Sequence, residues 1–277
     1  MLRLIACLCL MPTFAVALSL PAEEPVPGGI KIIRLPADVN AAPRAAAAPE
    51  VDADGHRALV VRVGVEWIAI IGIPLSAPLG TRAVSVKSGS GSQRLEFVVN
   101  PKQYPTQSLT VPPAQVNLSK RDLARFERER AHIDLVLSRW TDHEPEDLLL
   151  EAPVPGTRSS SYGSRRVFNG EARNPHTGMD IAAPAGAAVL APAAGVVVDI
   201  GDYFFDGATI FLDHGRGFVS MYCHLSAVDV KLGQRISAGT RIGAVGMTGR
   251  ATGPHLHWGL SLNHTWVDPA LFVRALK

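Results

Sequence analysis

Three stretches of this 277-residue chain combine residue types that could do metal or acid-base chemistry: Asn174-Pro175-His176-Thr177-Gly178-Met179-Asp180, Tyr222-Cys223-His224-Leu225, and Gly253-Pro254-His255-Leu256-His257-Trp258. Of nine histidines, His176, His214, His224, His255, His257 and His264 gather between residues 150 and 277. Neutral imidazole is a common ligand for transition metals and titrates near physiological pH, so the clustering points to a metal, to proton transfer, or to both. Pro175 and Gly178 argue against a helix through the first stretch, so His176 and Asp180 would have to converge through a loop or a strand entry. In the third stretch His255 and His257 alternate with Leu256 and Trp258. On a strand, residues two apart share a face, which points both imidazoles one way and Leu256 and Trp258 into the core. Taken alone, the pair could be two ligands or two half-exposed polar residues. The same alternation places Tyr222 and His224 on one face and Cys223 on the other. Neighbours on a strand cannot meet, which argues against a Cys223–His224 nucleophile pair and reads Cys223 as a small buried hydrophobe.

The surrounding sequence supplies the strands that must hold these residues. RALVVRV, EWIAIIGI, TRAVSVK and QRLEFVV, separated by Gly, Pro and Ser, predict a small antiparallel β domain over 28–115. A short strand over 30–35 precedes them, flanked by Ala- and Pro-rich stretches that read as linker or loop. Ser119, with Asp122 three residues on, opens a helical pattern within a linking region, 116–149. Leu123, Phe126, Ile133, Val136, Leu137 and Trp140 would form its packing face, with Arg121, Arg125, Arg128 and Glu129 on the wet side. From 150 to 277, AAVLAPAAGVVVDIGD, ATIFLDHG, GFVSMYCHL and TRIGAVGMTG again read as strands joined by glycine-rich turns. The fold class is therefore mainly β: a small N-terminal β domain, a linking helix and a C-terminal antiparallel β-sheet domain that carries the chemistry.

Residues 1–17, MLRLIACLCLMPTFAVA, have the order of a secretory signal peptide, with Arg3, an apolar run and small residues at Ala15 and Ala17 before a cleavage point. Residues 18–27 then read as linker. Cleavage would lower the formal charge from +2 to +1, a balance that points to no nucleic-acid partner, and no stable membrane insertion is expected afterwards. It would also remove Cys7 and Cys9, leaving Cys223 without an internal disulfide partner.

Residues 174–269, running NPHTGMDIAAPAGAAVLAPAAG, LDHGRGFVSMYCHLS, GQRISAGTRIGAVGMTGRATGPHLHWGLSLN and VDP, closely resemble the lysostaphin-like, LytM-type zinc metallopeptidases of the M23 family. RRVFNG (Arg165 to Gly170) and the first domain are similar to periplasmic, Gram-negative members with an N-terminal β domain. The resemblance implies that His176, Asp180 and His257 bind one catalytic zinc ion, leaving a fourth tetrahedral position open. It implies that His255 is the general base, aided by His224, which in protonated form would stabilise the oxyanion or protonate the leaving amine. The implied substrate is peptidoglycan stem peptides and their cross-links, and the implied location is the periplasm. A non-catalytic LytM-like activator of another wall hydrolase would be expected to lack ligands that are all present here. A glycyl-glycine bridge endopeptidase fits the flanking residues less well. His214 is expected to support a loop or line the cleft rim, His264 to sit in a turn with Asn263, and His56, His132 and His143 to lie outside the site.

Overall fold

The Val- and Ile-rich runs become strands in both halves of the chain, because β-branched side chains pack well on a pleated surface while the intervening Gly and Pro terminate them. A computed structural model describes residues 18–36, 47–89, 91–110 and 118–274; the expected signal peptide lies outside the described residues. In the first half, β1 (Ile30–Arg34), β2 (Glu50–Ala53), β3 (His56–Arg57), β4 (Leu59–Val63), β5 (Glu66–Gly72), β6 (Gly80–Ser88) and β7 (Gly91–Val99) form two antiparallel sheets, ordered β1-β5-β4 and β3-β2-β6-β7. β8 (Thr106–Leu109) and helix α1 (Lys120–Leu137) follow.

The second half contains β9 (Thr157–Ser160), β10 (Arg165–Phe168), β11 (Glu171–Arg173), β12 (Met179–Ala182), β13 (Ala188–Leu190), β14 (Gly195–Tyr203) and β15 (Gly207–Gly215). These are followed by β16 (Phe218–Cys223), β17 (Leu225–Val228), β18 (Arg235–Ile236), β19 (Arg241–Val245), β20 (His255–Leu262) and β21 (Thr265–Val267). The main sheet runs β18-β14-β15-β16-β20-β12-β9, with β21 paired to β20, and β13-β19-β17 form a smaller antiparallel sheet. β8 crosses from the first half to pair in parallel with β10.

One hydrophobic cluster runs through both halves, joining Ile30, Leu59 and Ile70 to Tyr222, Trp258 and Leu262. Polar contacts seal the same junction. Gly72 N–H donates to Asn263 Oδ1 (2.7 Å), and Asn263 Nδ2 donates back to Gly72 O (3.2 Å). The stretch at residues 18–29 also lies against the second half, with Ala22 N donating to Leu271 O at 2.8 Å.

Ser119 caps α1 as its position before the helical pattern predicts, its Oγ accepting from Asp122 N at 3.1 Å. The packing face differs from the expected one. Val136 and Leu137 are buried against Phe211, Met221 and Cys223, but Leu123 is 45% exposed, while Arg125 and Glu129 face the protein. The reason is that the end of β14 and the turn after it offer backbone polar groups, Asp202 O and Phe204 N–H, which attract charged side chains that a hydrophobic wheel assigns to water.

His214 is buried at the end of β15, its Nδ1–H donating to Ala194 O (2.7 Å) and its Nε2 accepting from Ser220 Oγ (2.7 Å). It is a structural histidine, as expected. Burial lowers its pKa below the ordinary 6.5. The unfolded chain therefore binds a proton that the folded chain resists, and the stability His214 contributes is complete above its unfolded pKa and lost as pH falls through the folded value. Thermal melts from pH 8 to pH 5 should show a declining Tm, with a shallower decline in His214→Gln; equal slopes would refute the assignment.

Candidate active site

The site is built on the β12–β20 ladder. Asp180 lies directly opposite His257, Ala182 opposite His255 and Met179 opposite Trp258. Opposed residues share a face, so Asp180 and His257 project together while Met179 and Trp258 enter the core from the other side. His176 reaches the same face from the loop before β12, the loop or strand-entry geometry expected from Pro175 and Gly178. His176 Nε2, His257 Nδ1 and Asp180 Oδ1 lie 2.9, 2.9 and 3.0 Å from one another. All three residues are buried, and among the described residues this is the group of His, Cys, Asp or Glu side chains placed to hold a metal ion.

The chemistry of the donor set fits a metal. His176 Nδ1 faces Ser161 O at 3.0 Å, with Ser160 Oγ at 3.2 Å. A carbonyl only accepts, so Nδ1 carries the hydrogen and Nε2 of the neutral ring presents a lone pair to Asp180 Oδ1. Two lone pairs at 3.0 Å call for a cation between them. A tetrahedral zinc ion with bonds of about 2.0–2.1 Å needs ligand atoms roughly 3.3 Å apart, so the three side chains would open only slightly to hold it. Burial alone would raise the Asp180 pKa, but the adjoining imidazoles of His176 and His257 outweigh it and hold the carboxyl well below the usual range. Burial lowers the pKa of His176, which keeps that ring neutral and able to ligate.

His255 and His224 stand beside this group. His255 Nδ1–H donates to Gly253 O at 2.8 Å, leaving Nε2 free and 3.8 Å from Asp180 Oδ1. His224 Nδ1–H donates to Thr248 O at 2.9 Å, again leaving Nε2 free. The His224 ring centroid is 4.6 Å from that of His255 and 6.1 Å from that of His257.

One expectation for His224 needs correction. Strand alternation would put it on the face of Tyr222, which lies in the core with Trp258. Instead the strand ends at Cys223, and His224 adopts φ 61°, a left-handed conformation that swings its ring onto the face of His257. Burial, then the nearby His257 and His255, push the His224 pKa down to about 4, so the ring rests neutral.

Several residues around the site escaped the sequence reading. Arg166, on β10, lies with Nη2 3.7 Å from Asp180 Oδ2, the carboxylate oxygen outside the converging trio. The carbonyls of Ser161, Thr248 and Gly253 orient His176, His224 and His255, and backbone atoms leave no signature in residue type. Gly178 had a readable signal, a glycine between two candidate ligands. A Cβ there would lie 2.6 Å from His257 Cε1 and 2.7 Å from Trp258 O. Cys223 is buried, and burial raises its pKa well above the ordinary thiol value, so it is an inert core residue as expected. His264 occupies the turn between β20 and β21, and His56 and His132 lie apart from the site, His56 packing edge-on to His264 and His132 pairing with Asp199.

Gly178→Ala should therefore displace the His257 ring and weaken metal affinity by about 10–100-fold, the effect typical of disturbing a ligand's support. Titration with zinc against a competing chelator measures it, and circular dichroism should remain that of the parent.

Residues 174–269 match the model described as peptidase family M23, and residues 23–102 match the one described as peptidase family M23 N-terminal domain. A crystal structure described as a peptidase M23 from Pseudomonas aeruginosa is 42% identical, with a TM-score of 0.77 over 92% of this chain and 97% of that one. Peptidoglycan DD-endopeptidase ShyA of Vibrio cholerae is 43% identical over 103 residues, 37% of this chain and 24% of that protein. DD-carboxypeptidase/endopeptidase Mpg of Neisseria gonorrhoeae is 43% identical over 94 residues, 34% of this chain and 22% of that protein. The match thus spans roughly a quarter of the length of these curated relatives. With both of its halves matched in order, and a solved relative aligned across nearly all of its length, the chain belongs to peptidase family M23.

Proposed function

We propose that this chain is a zinc-dependent endopeptidase that hydrolyses amide bonds in the peptide cross-links of peptidoglycan, acting in the periplasm after loss of residues 1–17. The observation that carries this reading is the convergence of His176, Asp180 and His257 within 3.0 Å of one another, beside two imidazoles whose Nε2 atoms are uncommitted. A non-catalytic binding module has no use for that combination. The names of the relatives, DD-endopeptidase and DD-carboxypeptidase/endopeptidase, support a bond between D-residues over a glycyl bridge.

Within this reading His176 Nε2, Asp180 Oδ1 and His257 Nδ1 hold the ion, with Arg166 beside the second carboxylate oxygen of Asp180. Zinc, when bound, supplies Lewis acidity that polarises the scissile carbonyl and makes water a nucleophile near neutral pH. His255 Nε2 takes the proton from the attacking water, and the Gly253 carbonyl fixes its ring for that task. His224 begins neutral, gains a proton only within the cycle, and passes it to the leaving amine nitrogen. The two ring centroids lie 4.6 Å apart. The domain limits 28–115, 116–149 and 150–277 belong to the same proposal, with chemistry confined to the last.

Digestion of purified sacculi, with products identified by mass, should release cross-link fragments that disappear on chelation and return with zinc. No release under any metal condition would favour the activator reading. His255→Ala and His224→Ala should each keep stoichiometric zinc and lose activity by about a hundredfold to ten-thousandfold. His257→Ala should lose the metal. Zinc lost from His255→Ala but kept by His257→Ala would reverse the assigned roles.

A further inference from the structure

The contacts of α1 lead from the helix to His224. We propose that Glu129 is a positioning residue for His224, acting through the turn at 203–207. This inference rests on the reading of His224 as a proton-transfer group. Phe204 lies beyond the last β14–β15 pair, Tyr203↔Gly207, so its N–H has no ladder partner. Glu129 Oε2 accepts that hydrogen at 2.7 Å. Arg125 steadies the carboxylate, its Nε donating to Glu129 Oε1 at 2.5 Å and its Nη2 to Asp202 O at 2.8 Å. Phe126, from the same helix, packs edge-on against Phe205 with centroids 5.0 Å apart.

The turn held in this way supports His224 by two routes. Directly, His224 N–H donates to Asp206 O at 2.8 Å. Indirectly, Ala208 N–H donates to Thr248 Oγ1 (3.0 Å) and Arg250 N–H to Phe205 O (2.9 Å), tying down the loop whose Thr248 O accepts from His224 Nδ1 at 2.9 Å. The approach is close: a Cβ on Gly207 would lie 2.4 Å from Thr248 C. Both the backbone and the ring of His224 are therefore anchored to segments that α1 braces. His224 needs such anchors, because φ 61° is a conformation that a residue with a Cβ keeps only when its surroundings impose it. Glu129 touches neither substrate nor metal in this scheme and acts only through placement.

The test uses the full chain carrying Glu129→Ala, Glu129→Gln or Phe126→Leu. Glu129→Ala should lower kcat about tenfold, equivalent to about 1.4 kcal/mol, with KM and zinc stoichiometry unchanged. It should also speed amide exchange at Phe204 and His224, read by NMR, by about tenfold or more. Glu129→Gln keeps an acceptor for Phe204 N–H and should recover most of both properties. Phe126→Leu, which leaves the carboxylate in place, should give a smaller shift in the same direction and decides the matter if Glu129→Ala does not fold. Unchanged His224 exchange in the folded variants, loss of zinc from Glu129→Ala, or a Gln variant as impaired as the Ala variant would overturn the proposal. Exchange needs no turnover, so an inactive parent would defeat the catalytic reading while leaving the bracing measurable.

Discussion

The pairing of Asp180 with His257 across two adjacent strands is the constraint on which the rest of the site depends. A ladder register shifted by one residue would send His257 into the core and Trp258 into the cleft. The apolar residues between the polar ones therefore act as register pins. Met179, Leu256 and Trp258 gain free energy only when buried, and burying them leaves Asp180 and His257 no choice of side. Once that face is set, His176 has only a short loop to cross, and Gly178 supplies the room for the His257 ring.

Much of this was readable from the amino acids. The alternation through His255, Leu256, His257 and Trp258 assigns each to its observed face, and Ser119 marks the start of α1. The buried, inert state of Cys223 was also legible. What escaped the reading depends on backbone groups and local conformation. A period-2 argument holds only while the strand continues, so it fails at His224, one residue past the end of β16. A helical wheel ranks residues by apolarity, so it sends Glu129 to solvent, while an unpaired N–H on Phe204 draws it inward. The tautomers of His176, His224 and His255 depend on carbonyl groups that every residue possesses.

The histidines of the site are held unevenly. Three of the site histidines spend Nδ1–H on a backbone carbonyl and present Nε2, whereas His257 turns Nδ1 toward Asp180. Rings pinned at one nitrogen can rotate little, so the Nε2 atoms are placed before any ligand arrives. Such preorganisation makes the site rigid by default.

The continuous core that joins β1, β4 and β5 to the main sheet makes the two halves thermodynamic dependants of each other. Side chains such as Ile30, Leu59 and Ile70 complete a core whose other wall carries Tyr222 and Trp258. An ion held by His176, Asp180 and His257 would then stabilise more than its own sheet, because the free energy of binding would be shared with every element whose folding that core requires. The first half is thus part of the scaffold's cooperative unit, and exchanging it for an unrelated module would expose apolar surface directly behind the site.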